Sequence, residues 1–287
     1  MAIKAMVGAA AAVLLAATAA SAETVRFAVT DIAGLEDLQR EFGGFRDTLA
    51  RLTGLDIDFV PVNSRTAAVE AMRADQVDFV LTGPAEYVVF HQVTDAEVVI
   101  GWQRPDYFAQ IVTLADGPYR DVDSLRGQTV TFGEVGSTSQ HLGPAQVLAD
   151  FGLVYGQDYE PAIISRNVAV EALIRGDVAA VGMNFTHLGR IREAFPDVAF
   201  TVVARGRDLP NDILIASPGV PDEIVEAVRT AFIDHQDSLL EAVLQGEDNQ
   251  KYGGGSFLAN ISDADYDYVR SMYRTIGIAD FSQFVGN

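Results

Sequence analysis

Short apolar runs rich in β-branched residues alternate along this chain with segments whose apolar positions recur every three or four residues. The first run, Val25-Arg26-Phe27-Ala28-Val29, reads as a strand. Phe42, Phe45, Leu49 and Leu52 then share one helix face, and Gly54 supplies the stop. Residues 57–62 read as a second strand, 66–73 as a helix and 77–81 as a third strand. Pro84 after Gly83 opens another helix, at the position where proline's missing N–H costs nothing. Residues 98–102 and 107–114 are further strands, and the chain turns at Asp116-Gly117-Pro118.

A fresh series begins near Leu125-Arg126-Gly127. It predicts a strand over 129–133, a helix over 142–151, a helix over 168–175, a strand over 179–181, a helix over 188–195 and a strand over 198–203. Residues 212–216 read as a return strand. Val220-Pro221-Asp222-Glu223 opens a long helix, and Ser262-Asp263-Ala264-Asp265 forms a capping box before the last one.

Strand–helix alternation of this kind predicts an α/β fold with largely parallel sheets. The two series predict two lobes, each with its own core, joined by crossing strands near 107–114 and 202–216, with the C-terminal helices returning to the first lobe. The expected division is a leader over 1–22, a first lobe over 23–110, a second over 111–204, and a return to the first over 205–287. A ligand would sit between the lobes, where strand ends and helix N-termini converge.

The N-terminus has the form of a secretory signal peptide. Lys4 supplies the positive region, 5–19 an apolar stretch too short and alanine-rich to span a membrane well, and Ala20-Ser21-Ala22 a small-residue cleavage site ahead of Glu23. An exported, periplasmic protein is expected. The chain has no Cys, hence no lipid attachment site, no disulfide and none of the commonest structural zinc sites. Its net charge is −20, and loss of Lys4 makes the mature chain one unit more negative. That acidity argues against nucleic acid and anionic membranes as partners. It leaves a small anionic ligand possible, because surface charge is screened beyond about 8–10 Å.

Gly136-Ser137-Thr138-Ser139 carries the most chemistry. It stands between a strand and a helix, so unpaired N–H groups and the helix dipole favour an anion there, and three hydroxyls add donors. The plainer alternative is one N-cap hydroxyl and two solvated ones. Ser137 and His141 lie four apart, the spacing of a nucleophile–base pair, but spacing alone does not make a hydrolase. Asp263, Asp265 and Asp267 lack the glycine and distal glutamate of a calcium loop. No metal, cofactor or catalytic residue is expected.

Four stretches taken together give the chain a resemblance. They are 60–62 leading through 67–72 to 76–87; Tyr107; 123–133 with Gly136-Ser137-Thr138-Ser139 and Gly143-Pro144; and Leu209-Pro210-Asn211-Asp212. In this order they resemble the phosphonate-type periplasmic binding proteins of ABC importers, over nearly the whole mature chain. The resemblance implies a type II two-lobed binding-protein fold, no enzymatic activity, a monomer, and an inner-membrane ABC permease as partner. It implies that Ser137, Thr138 and Ser139 hold a phosphorus oxyanion, that Tyr107 lines the cleft, that Asn184 is a polar ligand contact, and that Asp212 reads a ligand ammonium or the P–H side. For Tyr107 a core position, and for Asp212 a cap or hinge role, are the alternatives.

Two positions depart from the family. Arg65 stands where members usually carry Tyr, and Arg166 where they often carry His. If these arginines point inward, they favour a fully ionised or second acidic group on the ligand; if outward, they are solvated helix starts. A different small anion, a carboxylate among them, or a membrane sensor in place of a permease, would fit the same fold.

Overall fold

The computed structural model describes residues 22–285 and, within them, every side chain except that of Arg166. Apart from Ala22, the leader expected over 1–22 lies outside the described residues.

The first series forms β1 (Thr24–Val29), α1 (Leu35–Thr53), β2 (Asp56–Phe59), α2 (Arg65–Arg73), β3 (Phe79–Thr82), α3 (Pro84–Thr94) and β4 (Glu97–Trp102). The second forms β5 (Phe108–Leu114), β6 (Thr129–Phe132), α4 (Gly143–Asp150), β7 (Glu160–Ile163), α5 (Arg166–Arg175), β8 (Ala180–Asn184), α6 (Phe185–Ala194) and β9 (Phe200–Asp208). The chain closes with β10 (Asp212–Ala216), α7 (Asp222–Asp234), α8 (Gln236–Val243), β11 (Phe257–Leu258) and α9 (Asp267–Thr275).

The local signals work as physical chemistry requires. Leu38, Phe42, Phe45 and Leu49 bury one face of α1, and Gly54 ends it in the left-handed region at φ 74°, its N–H on the Ala50 carbonyl. Ser64 caps α2 by accepting the Ala67 N–H, and the Ser262–Asp265 capping box closes in both directions.

One sheet has the order β11-β4-β10-β3-β1-β2, the other β7-β6-β8-β5-β9. In the first, β1 pairs in parallel with β2 and β3, and β10 inserts antiparallel between β3 and β4. In the second, β6 pairs in parallel with β7 and β8, and β5 runs antiparallel to β8 and β9. The fold is α/β, with two lobes and a cleft between them.

The crossings differ from the expected strands. β5 and β9 lie wholly in the second sheet and β10 wholly in the first, so the changeovers are the connectors 103–107 and 209–211. The boundaries expected at 110/111 and 204/205 fall inside paired strands. An apolar run marks a strand, but only pairing decides its sheet. The last helix also departs from expectation. It packs on α4 of the second lobe as well as α3 of the first, with Thr275 Oγ1 donating to Gln146 Oε1 at 2.6 Å and Tyr273 donating to the Ala85 carbonyl at 3.0 Å. One apolar cluster runs from Val69 and Phe90 through Val269 and Met272 of α9 to Phe132 and Leu148, joining the lobes. Each lobe has a further core, around Trp102 and Phe45 in one and around Leu173 and Met183 in the other. Among the described residues no helix is long and apolar enough to cross a membrane.

Candidate functional site

Parallel strands of both sheets end on one cavity of about 330 Å³. After β1 come Thr30 and Asp31, after β2 Arg65, after β3 Gly83 and Glu86. From the other lobe come Ser137, Thr138 and Ser139 after β6, and Asn184 at the end of β8. The outgoing connector adds Arg104 and Tyr107, and Asp212 enters at the start of β10, where the chain returns. Helix N-termini from opposite lobes thus face one another across a small space, an arrangement that favours an anion.

The three hydroxyls are buried. They do not enter an ordinary helix. Residues Thr138–Leu142 form a π turn, in which the Leu142 N–H reaches back five residues to the Ser137 carbonyl at 3.0 Å, before α4 begins. No hydroxyl caps this turn from Ser137. Thr138 Oγ1 instead accepts the Ala85 N–H, from the first turn of α3 in the other lobe, at 3.0 Å. Ser139 Oγ accepts from Asn184 Nδ2 at 3.0 Å, while Asn184 Oδ1 accepts the His187 N–H and caps α6. Oxygens already engaged as acceptors leave hydroxyl protons to donate. Tyr107 is a cleft residue beside Ser139. Burial pushes its hydroxyl up to about 12, so it is neutral, and the Arg104 guanidinium lies 3.8 Å from its ring centre.

The charged groups are paired with one another. Arg65 turns into the cleft, where it pairs with buried Glu86, with Glu134 of the other lobe at 3.2 Å, and with the Val135 carbonyl at 3.4 Å. Asp212 is neither helix cap nor free carboxylate. It starts β10 buried, takes Arg104 at 3.3 Å and accepts the Tyr252 hydroxyl at 2.7 Å. Lys251 sits 3.3 Å from Asp31 and 3.9 Å from Asp212. Burial raises the Glu86 carboxyl to about 7, with Arg65 pulling it back. Arg166 begins α5, and its side chain lies outside the described residues.

Sequence reasoning missed Asp31, Glu86, Arg104, Lys251 and Tyr252. Asp31 and Glu86 carried a usable signal, since each follows the end of a parallel strand. Lys251 and Tyr252 carried none, because only the return of the C-terminal region beside β4 brings them near. The Ser137–His141 pair does not form. His141 Nδ1 accepts the Gly136 N–H at 3.0 Å and Nε2 meets the Tyr155 hydroxyl at 3.0 Å, and burial lowers the imidazole to about 4. Both nitrogens are engaged, so no base is poised for Ser137. Asp263 and Asp267 pair with Arg270, and Asp265 completes its capping box, as a charged helix start does. Among the described residues no group of three or more His, Asp or Glu could hold a metal ion.

The profile of the family described as "ABC transporter, phosphonate, periplasmic substrate-binding protein" matches residues 27–252. The chain belongs to this phosphonate-binding protein family. Its members are periplasmic substrate receptors of ABC transporters and not enzymes. Solved structures share the fold at low identity. A binding-protein component of an ABC phosphonate transporter from Pseudomonas aeruginosa is 16% identical, with a TM-score of 0.64 over 88% of this chain and 86% of that one. PhnD1 of Prochlorococcus marinus, in complex with methylphosphonate, is 16% identical, with a TM-score of 0.66 over 88% and 98%. The aliphatic sulphonate-binding protein SsuA of Escherichia coli is 15% identical, with a TM-score of 0.58 over 89% and 86%. As a phosphonate-binding protein, the chain binds a small phosphonate-type ligand and works with an ABC permease.

Proposed function

We propose that the chain, as a monomer, captures a small phosphorus oxyanion, a phosphonate before phosphite or a phosphate ester, between Ser137–Ser139 of one lobe and the start of α3 of the other. The observation that carries this reading is the bonding of Thr138 and Ser139. Each oxygen accepts from a fixed donor, Ala85 N–H or Asn184 Nδ2, which leaves the Thr138 proton to an oxyanion, while the Ser139 hydroxyl also hydrogen-bonds Tyr107 beside it. Tyr107 adds a neutral donor and a ring for the substituent on phosphorus. Because the Thr138–Ala85 bond crosses the cleft, the same turn that takes the anion also joins the lobes, and closure produces the form that docks on the permease. Arg65 faces inward, but its charge is shared with Glu86 and Glu134. It orders the cleft rim in place of acting as an unpaired cation, and the charge preference expected from an inward arginine is weakened accordingly.

Thermal unfolding of the mature protein against methylphosphonate, 2-aminoethylphosphonate, phosphite, phosphate, sulfate and small carboxylates tests this. Ligand at 100 times its Kd adds about 2.7 kcal/mol, a shift of roughly 5–10 °C for a chain of this size. The expected result is a shift for a phosphorus compound that disappears in the Ser137→Ala, Thr138→Ala, Ser139→Ala variant. A shift confined to sulfate or a carboxylate, or one that survives the triple substitution, contradicts it.

A further inference from the structure

We infer that His141 is the positioning residue of the oxyanion turn: its imidazole, bridging the Gly136 N–H and the Tyr155 hydroxyl, sets where Ser137, Thr138 and Ser139 present their hydroxyls. This rests on the reading of that turn as the anion site.

Three N–H groups of the loop that leads into the hydroxyls are held by hydrogen bonds. The Gly133 N–H meets the Gln140 carbonyl at 2.9 Å and the Ser137 N–H the Glu134 carbonyl at 3.1 Å. Gly136 sits between them in the left-handed region, at φ 74°, where a side chain would be strained. Its N–H goes to a side chain, His141 Nδ1, at 3.0 Å. An Nδ1 that accepts carries no proton, so the neutral ring is the Nε2–H tautomer and donates to Tyr155. Phe132 and Tyr155 hold the ring, with centroids at 5.6 and 5.9 Å.

The grip matters most when the lobes are apart. Polar contacts that reach this loop and turn from the first lobe include Arg65 to the Val135 carbonyl, Arg65 to Glu134, and the Ala85 N–H to Thr138. Separation of the lobes breaks all three. His141 belongs to the same lobe as the turn, so its bond persists, and the hydroxyls stay arranged before the anion arrives. Preorganisation of this kind raises affinity by removing an ordering cost from binding.

Two substitutions separate positioning from packing. Both His141→Leu and His141→Asn remove the ring and lower the Tm, but Asn keeps an acceptor near the Nδ1 position. Methylphosphonate titrated calorimetrically into the full mature protein is expected to bind His141→Leu about 10-fold or more weaker, and His141→Asn within about 3-fold of the parent. Equal affinities in both variants, whether both kept or both lost, overturn the inference. The Ser137–Ser139 triple alanine variant is the control. If it loses binding while His141→Leu binds like the parent, the positioning role fails and the site stands. If it binds like the parent, the site itself fails. Should His141→Leu not fold, nitrogen NMR of the parent decides: an Nε2–H tautomer with a slowly exchanging Gly136 amide supports the role, and an Nδ1–H tautomer or a fast-exchanging Gly136 amide overturns it.

Discussion

Glu86 occupies the third helical position of α3 with its carboxyl buried in the cleft and folded toward its own N–H. Burial drives its pKa up, Arg65 draws it down, and Asp31 and Asp212 push it up again, leaving it at about 7. The unfolded chain holds the same carboxyl near about 4.3. Between those values the native protein binds a proton that the unfolded chain does not, so this group makes stability fall as pH rises, by at most about 1.4 kcal/mol per pH unit. Below about pH 4.3 both states are protonated and the effect is absent; above about 7 the full cost is in place. Unfolding free energies of the Glu86→Gln variant, measured from pH 5 to 7.5, should lack this downward slope relative to the parent. Identical pH profiles for the two proteins would show that Glu86 is ionised throughout. At this scale the sequence marked Ser137–Ser139 because the three hydroxyls are adjacent in the chain, though their partners Ala85 and Asn184 are not. It was silent where two charges meet from distant segments, as Arg65 with Glu134 and Arg104 with Asp212 do.

The helix that follows the hydroxyls, α4, is seated on the second sheet where Pro144 lies close to Gly182. A Cβ built on Gly182 of β8 would stand 2.5 Å from Pro144 Cβ and 3.0 Å from Phe132 Cδ1. Neither the Pro144 ring nor Phe132 is a free side-chain tip, so Gly182→Ala must push α4 off the sheet. The expected cost is about 1–3 kcal/mol, read as a fall in Tm of roughly 2–12 °C. A Tm within about 1 °C of the parent would mean that α4 moves freely there. Apolar spacing located this helix over 142–151, within one residue of its observed ends. It did not announce the π turn at Thr138–Leu142; where that turn ends, a Cβ built on Gly143 would stand 2.7 Å from the Thr138 carbonyl oxygen and 3.0 Å from Ala109 Cβ, and the second of these contacts comes from a distant segment. β7 and β11 also escaped. β7 is half-exposed with Pro161 inside it, and β11 is two residues held by the edge of β4.

At the scale of the molecule, the two sheets are not independent bodies. The apolar cluster that passes through α9 ties α3 of one lobe to α4 of the other, and Tyr273 and Thr275 add a polar bond to each side. Cores so joined lose their support together. Calorimetry of the ligand-free mature protein should therefore show one transition whose calorimetric and van't Hoff enthalpies agree. Two resolved transitions would mean that the lobes unfold separately and that α9 follows only one of them.

The sequence by itself determined the alternation of strands and helices, the α/β class and the turn that ends in three hydroxyls, because each rests on residues adjacent in the chain, and it pointed to the family through the order of four such stretches. Tertiary structure decided the rest. Strand pairing placed the crossings at 103–107 and 209–211, the return of the C-terminal region brought Lys251 and Tyr252 to Asp212, and the packing of His141 between Gly136 and Tyr155 removed a catalytic reading that spacing alone had left open. Hydrogen-bond partners and charge pairs separated by a hundred residues have no local signature; only the folded chain selects them.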